Sequence, residues 1–109
     1  MGREALNLLL GAGLAMLTES FESFQKRALA AGADEVVKRR WEPNQVAETH
    51  THPFEAEVLV IEGEMWLTHD GTTRHYGPGG TFRIAEGTPH AERYGSQGAT
   101  YCVARRKSR

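Results

Sequence analysis

With 109 residues and a formal net charge of −1, the chain has room for one compact domain, which excludes a second. Its 13 basic and 14 acidic side chains are interspersed, apart from the terminal run Arg105-Arg106-Lys107-Ser108-Arg109, so no basic stripe recommends a nucleic acid or an anionic membrane as partner. The single cysteine, Cys102, excludes an internal disulfide framework and suits a reducing compartment, with the cytoplasm as the default.

The chain opens with an apolar run, Leu6 to Leu17, that is too short for a bilayer, which needs ~20 apolar residues. A signal-peptide core is the competing reading. Against it, Met1-Gly2-Arg3-Glu4 sets an acid beside the one base, and no small-x-small cleavage site follows before Thr18. The run is expected to be an N-terminal helix, weakened by Gly11 and Gly13, that packs on the domain or on a second subunit. Thr18 is expected to cap a second helix that carries Phe21, Phe24, Ala28 and Leu29 on one face and stops at Gly32. Residues 1–33 then form a helical segment and residues 34–109 a β domain.

From Asp34 onward, short β-favouring runs alternate with turn residues. The expected strands are Glu35 to Trp41, Val46 to His52, Glu57 to Ile61, Met65 to Thr68, Thr73 to Tyr76, Thr81 to Ala85, His90 to Tyr94 and Thr100 to Ala104. Turns are expected at Pro43-Asn44, Glu62-Gly63, Asp70-Gly71, Gly77 to Gly80, Gly87-Thr88-Pro89 and Gly95-Ser96. Many short strands with glycine-rich turns indicate a sandwich or barrel, and the absence of helices between strands argues against a parallel α/β sheet.

The chemistry concentrates at His50-Thr51-His52, because imidazoles at i and i+2 of a strand project from one face and can grip one ion. A surface strand with two solvated imidazoles explains that pair equally well. His90, forty residues on, reaches the same ion only through the fold. His69 and His75 flank the Asp70-Gly71 turn and are expected in solvent at a hairpin tip. Trp66, Phe82, Tyr94 and Tyr101 are read as core before pocket, and Cys102 as a buried strand thiol with no base to activate it.

The stretch HTHPFEAEVLVIEG, from His50 to Gly63, resembles the first conserved motif of the cupin superfamily, and GTFRIAEGTPH, from Gly80 to His90, resembles the second. Both occur in the expected order with a hairpin between them, as in small single-domain cupins of type 2. The resemblance implies a mainly β fold, a double-stranded β-helix or jelly-roll barrel, preceded here by N-terminal helix. It also implies a divalent metal at the barrel mouth on His50, His52 and His90, usually with a carboxylate. At the usual spacing that carboxylate falls on Ala56, flanked by Glu55 and Glu57. Strand alternation points both glutamates away from the histidine face, leaving three histidines plus water or substrate. A bulge near Pro53 would instead bring in Glu57 or Glu55.

Imidazole ligands suit zinc, iron, nickel or copper, and manganese is also admitted. An open coordination position suits catalysis on a small molecule, with dioxygenase-like or isomerase-like chemistry the classes that the resemblance suggests. A non-catalytic small-molecule-binding or sensing cupin and a metal-free structural cupin are the alternatives, and the sequence does not choose among them. Open strand edges suggest a homodimer.

Overall fold

A computed structural model describes residues 19–108. The apolar run from Leu6 to Leu17 and its expected helix lie outside the described residues, as does Thr18. Helix α1 spans Phe21–Ala30 and is capped by Ser20, whose hydroxyl accepts the Ser23 N–H at 3.1 Å. The cap is therefore Ser20, two residues beyond the expected Thr18. Phe24 and Ala28, one helical turn apart, are fully buried, whereas Leu29 is 46% exposed and does not share their face. The chain leaves the helix at Gly32, which has a φ of +98°.

Six strands follow: β1 Glu35–Trp41, β2 Val46–His50, β3 Glu55–His69, β4 Thr72–Tyr76, β5 Thr81–Ile84 and β6 His90–Arg106. Two expected pairs of short strands are each one long strand. β3 and β6 run antiparallel to each other from Glu55↔Arg106 to His69↔His90, with register shifts around Glu62 and Gly63. The glycines read as turns are bends within these strands. Gly63 sits at φ +75° opposite Ala99, and a Cβ there would lie 2.1 Å from the Gly98 carbonyl oxygen, so only glycine lets the backbones approach so closely.

The bend divides the sheet into two halves. The first half of β3 and the last half of β6 are flanked by β5 and β1, while their other halves are flanked by β4 and β2. This is the jelly-roll architecture, mainly β and antiparallel. A two-residue turn joins β3 to β4, with positive φ at both Asp70 and Gly71, as a tight hairpin between right-twisted strands requires.

Strand alternation sorts the apolar residues into two cores. Val58, Val60, Tyr101 and Val103 point into the barrel with Met65 and Tyr94, whereas Leu59, Cys102 and Ala104 point outward and pack with Val36 under Phe24 and Ala28 of α1. Double burial explains why β3 and the end of β6 are apolar on successive residues. No described helix is long and apolar enough to cross a membrane.

Candidate metal centre

The three histidines converge where β2 ends and β6 begins. His50 is the last residue of β2 and pairs directly with His90, the first of β6, after a register shift between Ala47 and His50. His52 follows two residues on, and its carbonyl accepts the Gly87 N–H at 2.9 Å, which ties it to the turn that delivers His90. Ring centroids are 4.3 Å apart for His50 and His90, 4.8 Å for His50 and His52, and 5.1 Å for His52 and His90. One nitrogen from each of the three lies within 4.8 Å of the others.

The donor chemistry fits a cation. Nδ1 of His50 lies 2.6 Å from the Glu48 carbonyl oxygen, and Nδ1 of His90 lies 2.9 Å from that of Thr88. A carbonyl only accepts, so both Nδ1 atoms donate, and in the neutral rings both Nε2 atoms present lone pairs. Backbone bonds of this kind fix tautomer and orientation in metal-ligating histidines. Two ligands each ~2.1 Å from one ion can be no more than ~4.2 Å apart, so a closing-in of roughly 1 Å brings all three rings within reach of one metal. Burial, reinforced by His50 and His90 and then by Arg105 and Arg39, holds the His52 pKa below its ordinary value and favours the neutral, ligating form.

These imidazoles face a cavity of about 320 Å³. Its other walls are largely apolar, including Phe54, Val58, Phe82 and Val103, while Arg39 and Arg105 add positive charge. Arg105 lies 5.0 Å over the Phe54 ring and Arg39 5.1 Å over the Trp41 ring, so each guanidinium rests on an aromatic wall.

Ala56 lines the same cavity, and β3 runs in unbroken register with β5 and β6 from Ala56 to Leu59. The bulge that would turn Glu57 inward is absent. Glu57 pairs outside with Arg106 at 2.9 Å, Arg83 at 3.4 Å and Arg27 at 3.7 Å, and Glu55 with Arg83 at 3.5 Å. His69 is exposed, and His75 lies 3.5 Å from Glu64 on the surface, both apart from the histidine cluster. Of the four aromatics singled out in the sequence, Phe82 and Tyr101 line the cavity, Tyr94 is core, and Trp66 stacks outside under Arg93 at 4.0 Å. Cys102 is fully buried and its thiol is pushed up to about 11 by that burial.

Sequence reasoning missed Glu92. It is 7% exposed and lines the cavity, with Oε2 3.5 Å from His90 Nε2 and 3.7 Å from His50 Nε2, while Oε1 accepts the Tyr94 hydroxyl. The signal was available, because Glu92 stands at i+2 from His90 on one strand, the relation that singled out His50 and His52.

Comparison with known proteins agrees with this architecture. Residues 38–103 match the family described as the cupin domain. No curated protein matches the chain by sequence. Among solved structures, a protein of unknown function from Rhizobium leguminosarum bv. viciae 3841 is 25% identical with a TM-score of 0.64, covering 67% of this chain and 69% of that one. An RmlC-like cupin from Shewanella frigidimarina NCIMB 400 is 20% identical with a TM-score of 0.61, covering 68% and 66%. The DMSP lyase DddQ from Ruegeria pomeroyi DSS-3 is 27% identical with a TM-score of 0.58, covering 67% of this chain but 36% of that one.

Proposed function

Because the chain belongs to the cupin family, we propose that it is a small metalloenzyme in which His50, His52 and His90 hold a divalent transition metal against a small-molecule substrate. The observation that carries this reading is the convergence of three imidazole nitrogens within 4.8 Å on the wall of a cavity. Zinc, iron, nickel, copper and manganese are the candidate ions. When bound, such an ion supplies Lewis acidity to a substrate oxygen or sulfur.

The chain's own groups do the rest. Glu48 and Thr88 carbonyls hold the imidazoles in their ligating tautomer. Phe54, Val58 and Phe82 keep water from the body of the substrate. Arg39 and Arg105, with the bound ion, favour a substrate that carries an anionic group, since the two arginines balance Glu48 and Glu92 in the cavity lining and the ion adds positive charge. Dioxygenase-like or isomerase-like conversion of a small anionic molecule is the reaction class that this combination supports. The 27% identity to a DMSP lyase, although over only a third of that protein, lends weight to catalysis over passive binding. A lone buried thiol suits residence in the reducing cytoplasm.

Metal analysis of the purified protein, followed by oxygen uptake and product detection with panels of anionic thiols, diketones and carboxylates, tests this reading. Turnover that disappears on chelation and returns with one metal supports it. A metal-loaded protein that binds these ligands without converting any of them would make it a binding module, and a protein that takes up no metal would refute it.

A further inference from the structure

We propose that Glu92 supplies the carboxylate of the metal centre, delivered from β6 in place of the one that Ala56 cannot supply from β3. The inference rests on the three-histidine reading and adds a fourth protein ligand to it.

The local chemistry demands a cation at this point. Both Nδ1 atoms donate to backbone carbonyls, so Nε2 of His50 and of His90 are acceptors in the neutral rings. Both point toward the same acceptor, Glu92 Oε2, at 3.7 and 3.5 Å. Three electron-rich atoms converging in a partly buried site repel one another unless positive charge lies among them. Protonated imidazoles would each answer one contact, whereas one metal ion answers all of them together.

Arg39 and Arg105 share the cavity with Glu92 without pairing with it directly. Glu92 is 7% exposed, and its only ion-pair contacts among the described residues are with those two histidines. A carboxylate taken out of water without a cation is strongly disfavoured. Its aim is also fixed. The Tyr94 hydroxyl donates to Oε1, and Tyr94 is itself buried and stacked on Trp41 at 4.9 Å with the rings 8° from parallel, so Oε2 is left turned toward the imidazoles.

The relocation has a consequence for the substrate. Ala56 is small and lines the cavity, so the wall that would carry a carboxylate is vacated. The centre becomes three imidazoles and one carboxylate, with its negative ligand on the side of β6. One unit of the ion's charge is neutralised, and a carboxylate in the set shifts preference toward manganese and ferrous iron.

The test is manganese and cobalt binding by calorimetry to the parent protein, Glu92→Gln, and Glu92→Gln combined with Ala56→Glu, with the cobalt absorption spectrum recorded for each. The thermal transition of each metal-free protein reports its fold. Glu92→Gln is expected to weaken manganese binding by more than about 100-fold, beyond the ~10–100-fold cost of losing a group that merely orients a ligand. The cobalt bands should change, and Ala56→Glu should restore part of the lost affinity. Infrared spectra of the parent need no variant: its carboxylate bands should shift on adding manganese. Glu92→Gln that binds manganese within about threefold of the parent with an unchanged cobalt spectrum, or unshifted carboxylate bands, would overturn the assignment of Glu92 and leave the three histidines standing. A parent that binds neither metal would overturn the histidine site itself, and this proposal with it.

Discussion

At the scale of single residues, the site depends on which side of a strand each group occupies. Glu57 lies outside the barrel in a cluster with Arg106, Arg83 and Arg27, so Glu57→Ala is expected to leave metal affinity unchanged, as measured by calorimetry. It should cost about 1–3 kcal/mol of stability, because Arg27 and Arg83 are more than half exposed whereas the half-buried Arg106 loses its charged hydrogen-bond partner. A loss of metal with Glu57→Ala in a folded protein would return the bulged register to consideration. Alternation alone made Ala56 and Glu57 legible from the sequence. Glu92 is less legible because it lies beyond the histidine that completes the second motif, although the same alternation places it beside His90. Cys102 gives a second expectation at this scale. Burial raises its thiol to about 11, so in the native protein at pH 8 it should resist a disulfide-exchange reagent and react only after unfolding. Rapid native labelling would contradict its placement beneath α1.

At the scale of elements, the two long strands govern the architecture, and each was read from the sequence as two short strands and a turn. Glu62-Gly63 and Gly95-Ser96 carry turn chemistry, and what makes them bends is the partner strand alongside, which sequence spacing does not reveal. Gly63→Ala is expected to destabilise the fold severely, by about 3 kcal/mol or more, since a β-carbon must find room against the Gly98 carbonyl in a left-handed backbone conformation. Chemical denaturation measures this, and a loss under 1 kcal/mol would mean that the bend tolerates a side chain. Helix α1 was legible in type and in its C-terminal end. Its cap was not, because threonine and serine are both competent caps and the sequence does not choose between Thr18 and Ser20, the residue whose hydroxyl accepts the Ser23 N–H. Phe24→Ala should cost about 3 kcal/mol and open Cys102 to labelling, since Phe24 and Ala28 roof that thiol.

At the scale of the whole molecule, the jelly roll brings residues from β2, the loop after it and β6 to one wall of a cavity, a convergence that two separated motifs could suggest only through their resemblance to a family. The chain is also proposed to form a homodimer. Strand β1 lies at the end of the sheet path and carries Lys38, Arg39 and Arg40 in succession, so pairing along it would set like charges together. Such a dimer should strengthen with salt, which screens that repulsion. Sedimentation that shows only monomer at micromolar concentration in both low and high salt would remove it. Metal binding should weaken as pH falls through the histidine range, because a proton on any of the three rings takes the lone pair that coordinates. Burial and the neighbouring imidazoles hold the His52 pKa below its ordinary value, so this ring keeps its lone pair to lower pH than a free imidazole does. The most direct test of the account is metal content after replacement of His90, the ligand contributed by the far end of the fold. Metal analysis of His90→Ala beside the parent and His75→Ala should show stoichiometric metal in the parent and in His75→Ala, and none in a folded His90→Ala protein. Equal metal in His90→Ala and the parent would contradict the centre proposed here.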